Sequence, residues 1–114
     1  MHNTESIKLN KEFRRLYYRG KSLSSPFVVL YYLPKRSLGQ KNELGITVST
    51  KVGKAVKRNK IRRWIKESYL SFEPKIKTGY SFVILARKSA GENADFWAIK
   101  RAVGGMLKKA ELFK

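Results

Sequence analysis

Between residues 51 and 66 the chain carries Lys51, Lys54, Lys57, Arg58, Lys60, Arg62, Arg63 and Lys66 with no acidic residue among them. Apolar side chains are interleaved with these cations at helical spacing, which predicts a helix over residues 54–72. At 100° per residue, Ile61, Trp64, Ile65, Tyr69 and Phe72 fall on one arc. Asn59, Lys60, Arg62, Arg63 and Lys66 fall on the opposite arc, with Lys57 and Arg58 at its edges. Such a helix buries one face and presents a dense cationic one. Ordinary solvated faces mix signs and place Glu and Lys four residues apart. Here Arg58, Arg62 and Lys66 stand one turn apart without a counter-charge, an arrangement that phosphates would relieve. Charge alone does not separate DNA from RNA. Ahead of the helix, Lys51-Val52-Gly53-Lys54 reads as a tight basic turn. Gly53 either permits the bend or lets backbone N–H groups approach a phosphate.

The balance of 26 Lys and Arg against 8 Asp and Glu, a net charge of +18 on 114 residues, extends this bias to the whole chain. It favours a polyanionic partner. The length suits one domain, residues 1–114, and a content of 42% hydrophobic and 12% aromatic residues is enough to build a core. Without cysteine there is no disulfide or thiolate chemistry. No apolar run approaches a membrane span and no signal-peptide pattern opens the chain, so the expectation is a cytoplasmic protein with no membrane partner. Materials for catalysis are sparse. His2 is the only histidine, Asp95 the only aspartate, and Glu5, Glu12, Glu43, Glu67, Glu73, Glu92 and Glu111 are scattered. No metal-ligand, P-loop or dinucleotide motif occurs. The expectation is therefore no catalytic side chain, no protein-held metal and no small-molecule substrate.

Around the basic helix the pattern alternates. Residues 10–19 form an amphipathic helix with Phe13, Leu16 and Tyr17 on one stripe, Asn10 as cap and Gly20 as stop. Residues 27–33, ended by Pro34, read as a strand, and residues 35–42 as a hairpin loop. Residues 44–50 alternate, with Leu44, Ile46 and Val48 toward a core and Gly45, Thr47 and Ser49 on a small polar face. After a loop at 73–79, the apolar run 80–86 reads as a strand buried on both faces. A loop at 87–93 precedes a last helix over 94–110, capped by Asn93 or Asp95 and weakened by Gly104-Gly105. The order predicts an α+β sandwich with a mainly antiparallel sheet and one crossover through the basic helix.

The aromatic residues divide between core and surface. Phe82, Phe96, Trp64 and Phe72 fit apolar stripes. Phe13 and Tyr17 lie one turn apart beside Arg14 and Arg15, while the adjacent Tyr31 and Tyr32 must face opposite sides of their strand. Each of these four fits the core or an exposed surface. Aromatic rings among cations, over a sheet bearing Thr47 and Ser49, suit single-stranded RNA, where bases stack and cations track the backbone.

The run from Val48 to Glu67, VSTKVGKAVKRNKIRRWIKE, resembles the signature S-K-K-x-G-x-A-V-x-R-N-R-x-[KR]-R-x-[IL]-[KR]-E of the bacterial ribonuclease P protein subunit. Phe13, Tyr17 and Gly20 resemble that family's first-helix motif, and residues 80–87 its [YF]-x-[VFI]-[VI]-[IL]-A-R strand. Thr50 departs from the first of the paired lysines. Lys60 departs from the second arginine of R-N-R, keeping the charge but losing the planar fork. The resemblance implies a two-layer α+β sandwich of order αβββαβα. Its four-stranded sheet would be mixed and mostly antiparallel, with residues 21–25 as a short first strand and a left-handed βαβ crossover. It further implies a catalytic RNA that removes the 5′ leader of precursor tRNA, assisted by the protein, with Mg²⁺ held mainly by RNA. Carried over by position, Lys51, Lys54, Arg58, Asn59, Lys60, Arg62, Arg63 and Lys66, together with Lys57 on the same helix, would meet the catalytic RNA. Phe13, Tyr17 and Tyr31 would line a cleft for the leader. Competing readings are a ribosomal-protein-like RNA binder and a duplex-DNA binder with the basic helix in the major groove.

Overall fold

The computed structural model describes residues 4–35 and 41–114. The elements are β1 (Thr4–Ser6), α1 (Asn10–Arg19), β2 (Lys21–Ser24), β3 (Val28–Pro34), β4 (Asn42–Thr47), α2 (Ala55–Phe72), β5 (Tyr80–Ala86), α3 (Lys88–Asn93) and α4 (Phe96–Lys109). The strands form one mixed sheet in the order β1-β4-β5-β3-β2. β4 and β5 are parallel neighbours joined through α2, while β3 pairs antiparallel with both β5 and β2.

Strand β5 occupies the centre, and the covering of both its faces explains its unbroken apolar run. Phe82 and Ile84 face α2 and α4 in a core that includes Leu30, Leu44, Ile61, Ile65, Tyr69, Ile99, Val103 and Leu107. Val83 faces the other way, against Leu16 and Ile7. The helices thus lie on both sides of the sheet, with α1 opposite α2 and α4.

The α+β class and the mixed sheet agree with the sequence-based expectation, and five strands replace four. The added strand, β1, is three residues long and pairs parallel with β4 from Thr4↔Asn42 to Ser6↔Leu44. Thr-Glu-Ser has no hydrophobic alternation to betray it. Its anchor is tertiary: Thr4 is buried and its hydroxyl lies 2.8 Å from that of Tyr69. Burial pushes the Tyr69 phenol pKa up, so the ring stays neutral. The short strand implied for residues 21–25 is β2.

Other differences have local causes. Asn10 does not cap α1: it is the first helical residue, preceded by Leu9 with no side-chain cap. β4 begins at Asn42 and ends at Thr47, two residues earlier at its start than the alternation and three at its end. Asn42 is buried and joins the strands, its amide donating to the Lys77 carbonyl at 3.0 Å and its carbonyl oxygen accepting from the Tyr80 N–H at 2.9 Å. The segment after β3 is not a hairpin between neighbours, because β5 lies between β3 and β4; residues 36–40 of that expectation lie outside the described ones. The loop expected over 87–93 contains α3. Its turn-like composition is overridden by packing, with Ala90 buried and Gly91 seated on the Val52 carbonyl, where a Cβ would come within 1.9 Å of the oxygen. Asp95 caps α4 through the Ala98 N–H at 2.8 Å. Gly104 does not end that helix: it makes room for the Phe72 ring, which an added Cβ would approach to 2.7 Å.

Candidate nucleic-acid interface

Helix α2 buries Ile61, Ile65 and Tyr69 almost completely, together with Ser68, whose hydroxyl donates to the Trp64 carbonyl at 2.7 Å. Trp64 and Phe72 are half-buried at the edges of this stripe. Opposite it, Asn59, Lys60, Arg63 and Lys66 are exposed, and Arg62 is half-exposed with its guanidinium donating to the Asn59 side-chain oxygen at 3.0 Å. Lys51, Lys54 and Lys57 are exposed at the start of the helix, and Arg58 is half-buried. Lys57 donates to the Gly91 carbonyl at 2.8 Å, tying the helix start to α3. Along this face Arg63 meets one carboxylate, that of Glu67 at 3.9 Å, with both side chains more than half exposed. An ion pair so wetted contributes little and leaves the cationic field of the face standing.

The turn before α2 accounts for the bend at Gly53. A 3₁₀ turn, Thr50–Val52, anchors Val52 in the core, and Gly53 follows at φ 154°, ψ −170°. That region is essentially glycine's alone, so the bend by itself requires the residue.

On the α1 side of the sheet, two rows of side chains follow from the strand register. Gly45, Val83, Tyr31 and Ser22 form one row; Thr47, Leu85, Val29 and Ser24 form the next. α1 lays Phe13, Leu16 and Tyr17 over the first row. Phe13 fits because Gly45 has no side chain, since a Cβ there would lie 2.4 Å from the ring. Tyr17 meets Tyr31 edge to face with centroids 5.0 Å apart, and its hydroxyl lies 2.8 Å from that of Thr47. The second row stays partly open, with Val29, Leu85 and Thr47 half-exposed and Ser24 exposed. Phe13, Tyr17 and Tyr31, which the sequence left undecided between core and surface, are thus half-buried ring walls beside an open strip.

The two sets of residues meet at the edge of the sheet. β1 covers β4 only as far as Leu44, and beyond it a cleft of about 260 Å³ is lined by Phe13, Gly45 and Ile46 together with Arg62 and Lys66 of α2. Lys54, Lys57 and Lys60 line a separate hollow of about 650 Å³ floored by Ile61, Trp64 and Gly91, in which the Lys60 ammonium lies 5.7 Å from the Trp64 ring centre. Sequence reasoning missed the contributions of Gly45 and Gly91. Neither carries a chemical signal, and each matters only through what approaches it.

A family model described as Ribonuclease P matches residues 1–111. The chain belongs to the ribonuclease P protein family. It is 46% identical over 108 residues to the ribonuclease P protein component of Clostridium botulinum (strain 657 / Type Ba4), covering 94% of this chain and 95% of that one. It is 39% identical over 110 residues to that of Clostridioides difficile (strain 630), covering 96% and 94%. Among solved structures, the Staphylococcus aureus RNase P protein superposes with a TM-score of 0.86 at 32% identity over 96% of this chain and 97% of that one. The RNase P protein from Thermotoga maritima gives 0.80 at 30% identity over 92% and 96%. Membership makes the chain a ribonuclease P component, part of an endoribonuclease holoenzyme that acts in tRNA processing. The ribosomal and duplex-DNA readings fall away. Among the described residues no helix is long and apolar enough to cross a membrane.

Proposed function

We propose that the chain acts as one RNA-binding domain that grips the catalytic RNA of ribonuclease P and the 5′ leader of precursor tRNA, leaving bond cleavage to the RNA. The observation that carries this reading is the division of α2, with Ile61, Ile65 and Tyr69 sealed in the core while Lys60, Arg63 and Lys66 stand in solvent. Lys51, Lys54, Lys57, Arg58, Asn59, Lys60, Arg62, Arg63 and Lys66 meet phosphates of the catalytic RNA. Each neutralised phosphate releases counterions, so assembly is favoured at low salt and low Mg²⁺. The leader lies along the open strip beside Phe13, Tyr17 and Tyr31, where unpaired bases stack on rings. The cleft shared by Phe13, Arg62 and Lys66 joins the two surfaces, so that one substrate strand passes from ring to cation at the sheet edge.

Mg²⁺ is assigned to RNA phosphates. In this reading the chain's own part is binding and orientation. The working compartment is the cytoplasm, where precursor tRNA is made.

The test is leader removal from precursor tRNA by the cognate catalytic RNA at low Mg²⁺, with and without the protein. The expected result is marked stimulation by the protein and no cleavage by the protein alone. Cleavage by the protein alone would overturn the division of labour, and absence of stimulation would overturn the assignment of these surfaces.

A further inference from the structure

Helix α4 lies beside α2 on the side of the sheet away from α1, and its outer face has no role in either surface above. It carries Lys100, Arg101, Lys108 and Lys109 and no acid, whereas α2 has the single carboxylate of Glu67. Trp97 stands on it 61% exposed, although an indole ordinarily gains from burial. A shallow groove of about 580 Å³ runs from this ring between Phe72, Lys100, Arg101, Gly104 and Gly105. The Lys100 ammonium lies 5.6 Å from the Trp97 ring centre and 6.0 Å from that of Phe72.

Gly105 is the informative residue. Gly104 is explained by Phe72, but a Cβ at Gly105 would meet nothing within 4 Å, and the residue lies inside the helix with no positive φ. Neither packing nor backbone geometry calls for glycine there, and alanine would strengthen the helix. What glycine leaves is bare, flat backbone beside an exposed indole and two cations.

We infer that this groove is a further RNA contact, stacking an unpaired base of a single-stranded segment on Trp97 while Lys100 and Arg101 hold its phosphates. A flat floor, an aromatic wall and paired cations match a nucleotide in shape and charge. Charge complementarity favours RNA over a second copy of this strongly basic chain, whose approach would be repelled. The inference shares with the proposed function only the choice of RNA as partner.

In a Trp64→Phe background Trp97 is the sole tryptophan of the full chain, so its emission reports on this groove. The probe is a dye-labelled single-stranded RNA of about ten nucleotides, used at about 0.2 M salt to weaken non-specific contacts, with anisotropy read in parallel. Trp97 emission is expected to be quenched in step with the rise in anisotropy, while a blunt RNA duplex of equal length leaves it unchanged. Trp97→Ala is expected to weaken single-strand binding by about fivefold or more. Gly105→Ala is expected to raise Tm and yet weaken binding, opposite signs that a merely structural glycine would not give. Anisotropy rising over unquenched Trp97 would overturn the groove assignment alone, as would unchanged affinity in Gly105→Ala. Emission that changes with protein concentration without RNA would assign the groove to self-association instead. No anisotropy change at all would overturn the RNA reading of the whole protein, and this contact with it.

Discussion

On the outer face of α2, Lys60, Arg62, Arg63 and Lys66 come from seven consecutive residues, and a single amphipathic helix places them together. On the α1 side of the sheet, Phe13 and Tyr17 arrive from α1, Tyr31 from β3, Thr47 from β4 and Leu85 from β5. The first surface survives wherever the helix survives. The second exists only when four elements hold register, and it depends on Gly45 leaving space for Phe13. A charged face is therefore locally encoded and tolerant, whereas a face of aromatic rings gathered from several elements is assembled and fragile.

Breaking the support common to both comes first. Ile65→Ala removes a fully buried side chain from beneath α2 and is expected to cost about 2–5 kcal/mol, read as a lower urea midpoint, with both binding functions lost together. The double substitution Arg62→Ala with Arg63→Ala separates the surfaces. It should leave stability within about 0.5 kcal/mol and flatten the salt dependence of RNA binding by ~0.7–0.9 log units per lost phosphate contact. At about 0.1 M salt that is roughly thirtyfold in affinity. An unchanged slope would place this face in solvent. Gly45→Ala does the converse. It drives a methyl into Phe13 and is expected to cost about 1–3 kcal/mol in thermal or urea melts. It should erase discrimination between tRNA with and without a leader while the salt slope of catalytic-RNA binding stays as it was. The smallest effect is expected from Tyr17→Phe, which keeps the ring and deletes the hydroxyl contact with Thr47, for about 0.5–1.5 kcal/mol of stability and little change in leader affinity. A large loss of leader affinity would mean that the hydroxyl, not the ring, meets the RNA.

Residues whose neighbours lie within a turn or two were legible in advance. The span of α1, the strand Tyr80–Ala86 and the two-faced character of α2 follow from periods of 3.6 and 2. β1 was not legible, because three polar residues become a strand only by pairing with β4 and by the Thr4–Tyr69 contact. Nor was α3, where Ser, Gly and Asn read locally as a turn until Ala90 finds its place in the core. The expected hairpin after β3 failed for a related reason: chain adjacency suggested pairing, but the continuously apolar β5 needs two covered faces and takes the central place between β3 and β4.

By itself the sequence determined where the charge is, that one helix must carry it on one face, and which family the motif from Val48 to Glu67 resembles. These are properties of contiguous residues, and helical geometry alone converts them into a surface. The tertiary structure decided that Phe13 and Tyr17 stand as walls beside an open strip, that the basic helix meets them at the edge of β4, and that Trp97 is left outside the core. Those outcomes depend on which strand takes the centre and on where a missing Cβ lets a ring approach, distances between residues far apart in the chain that no local pattern records.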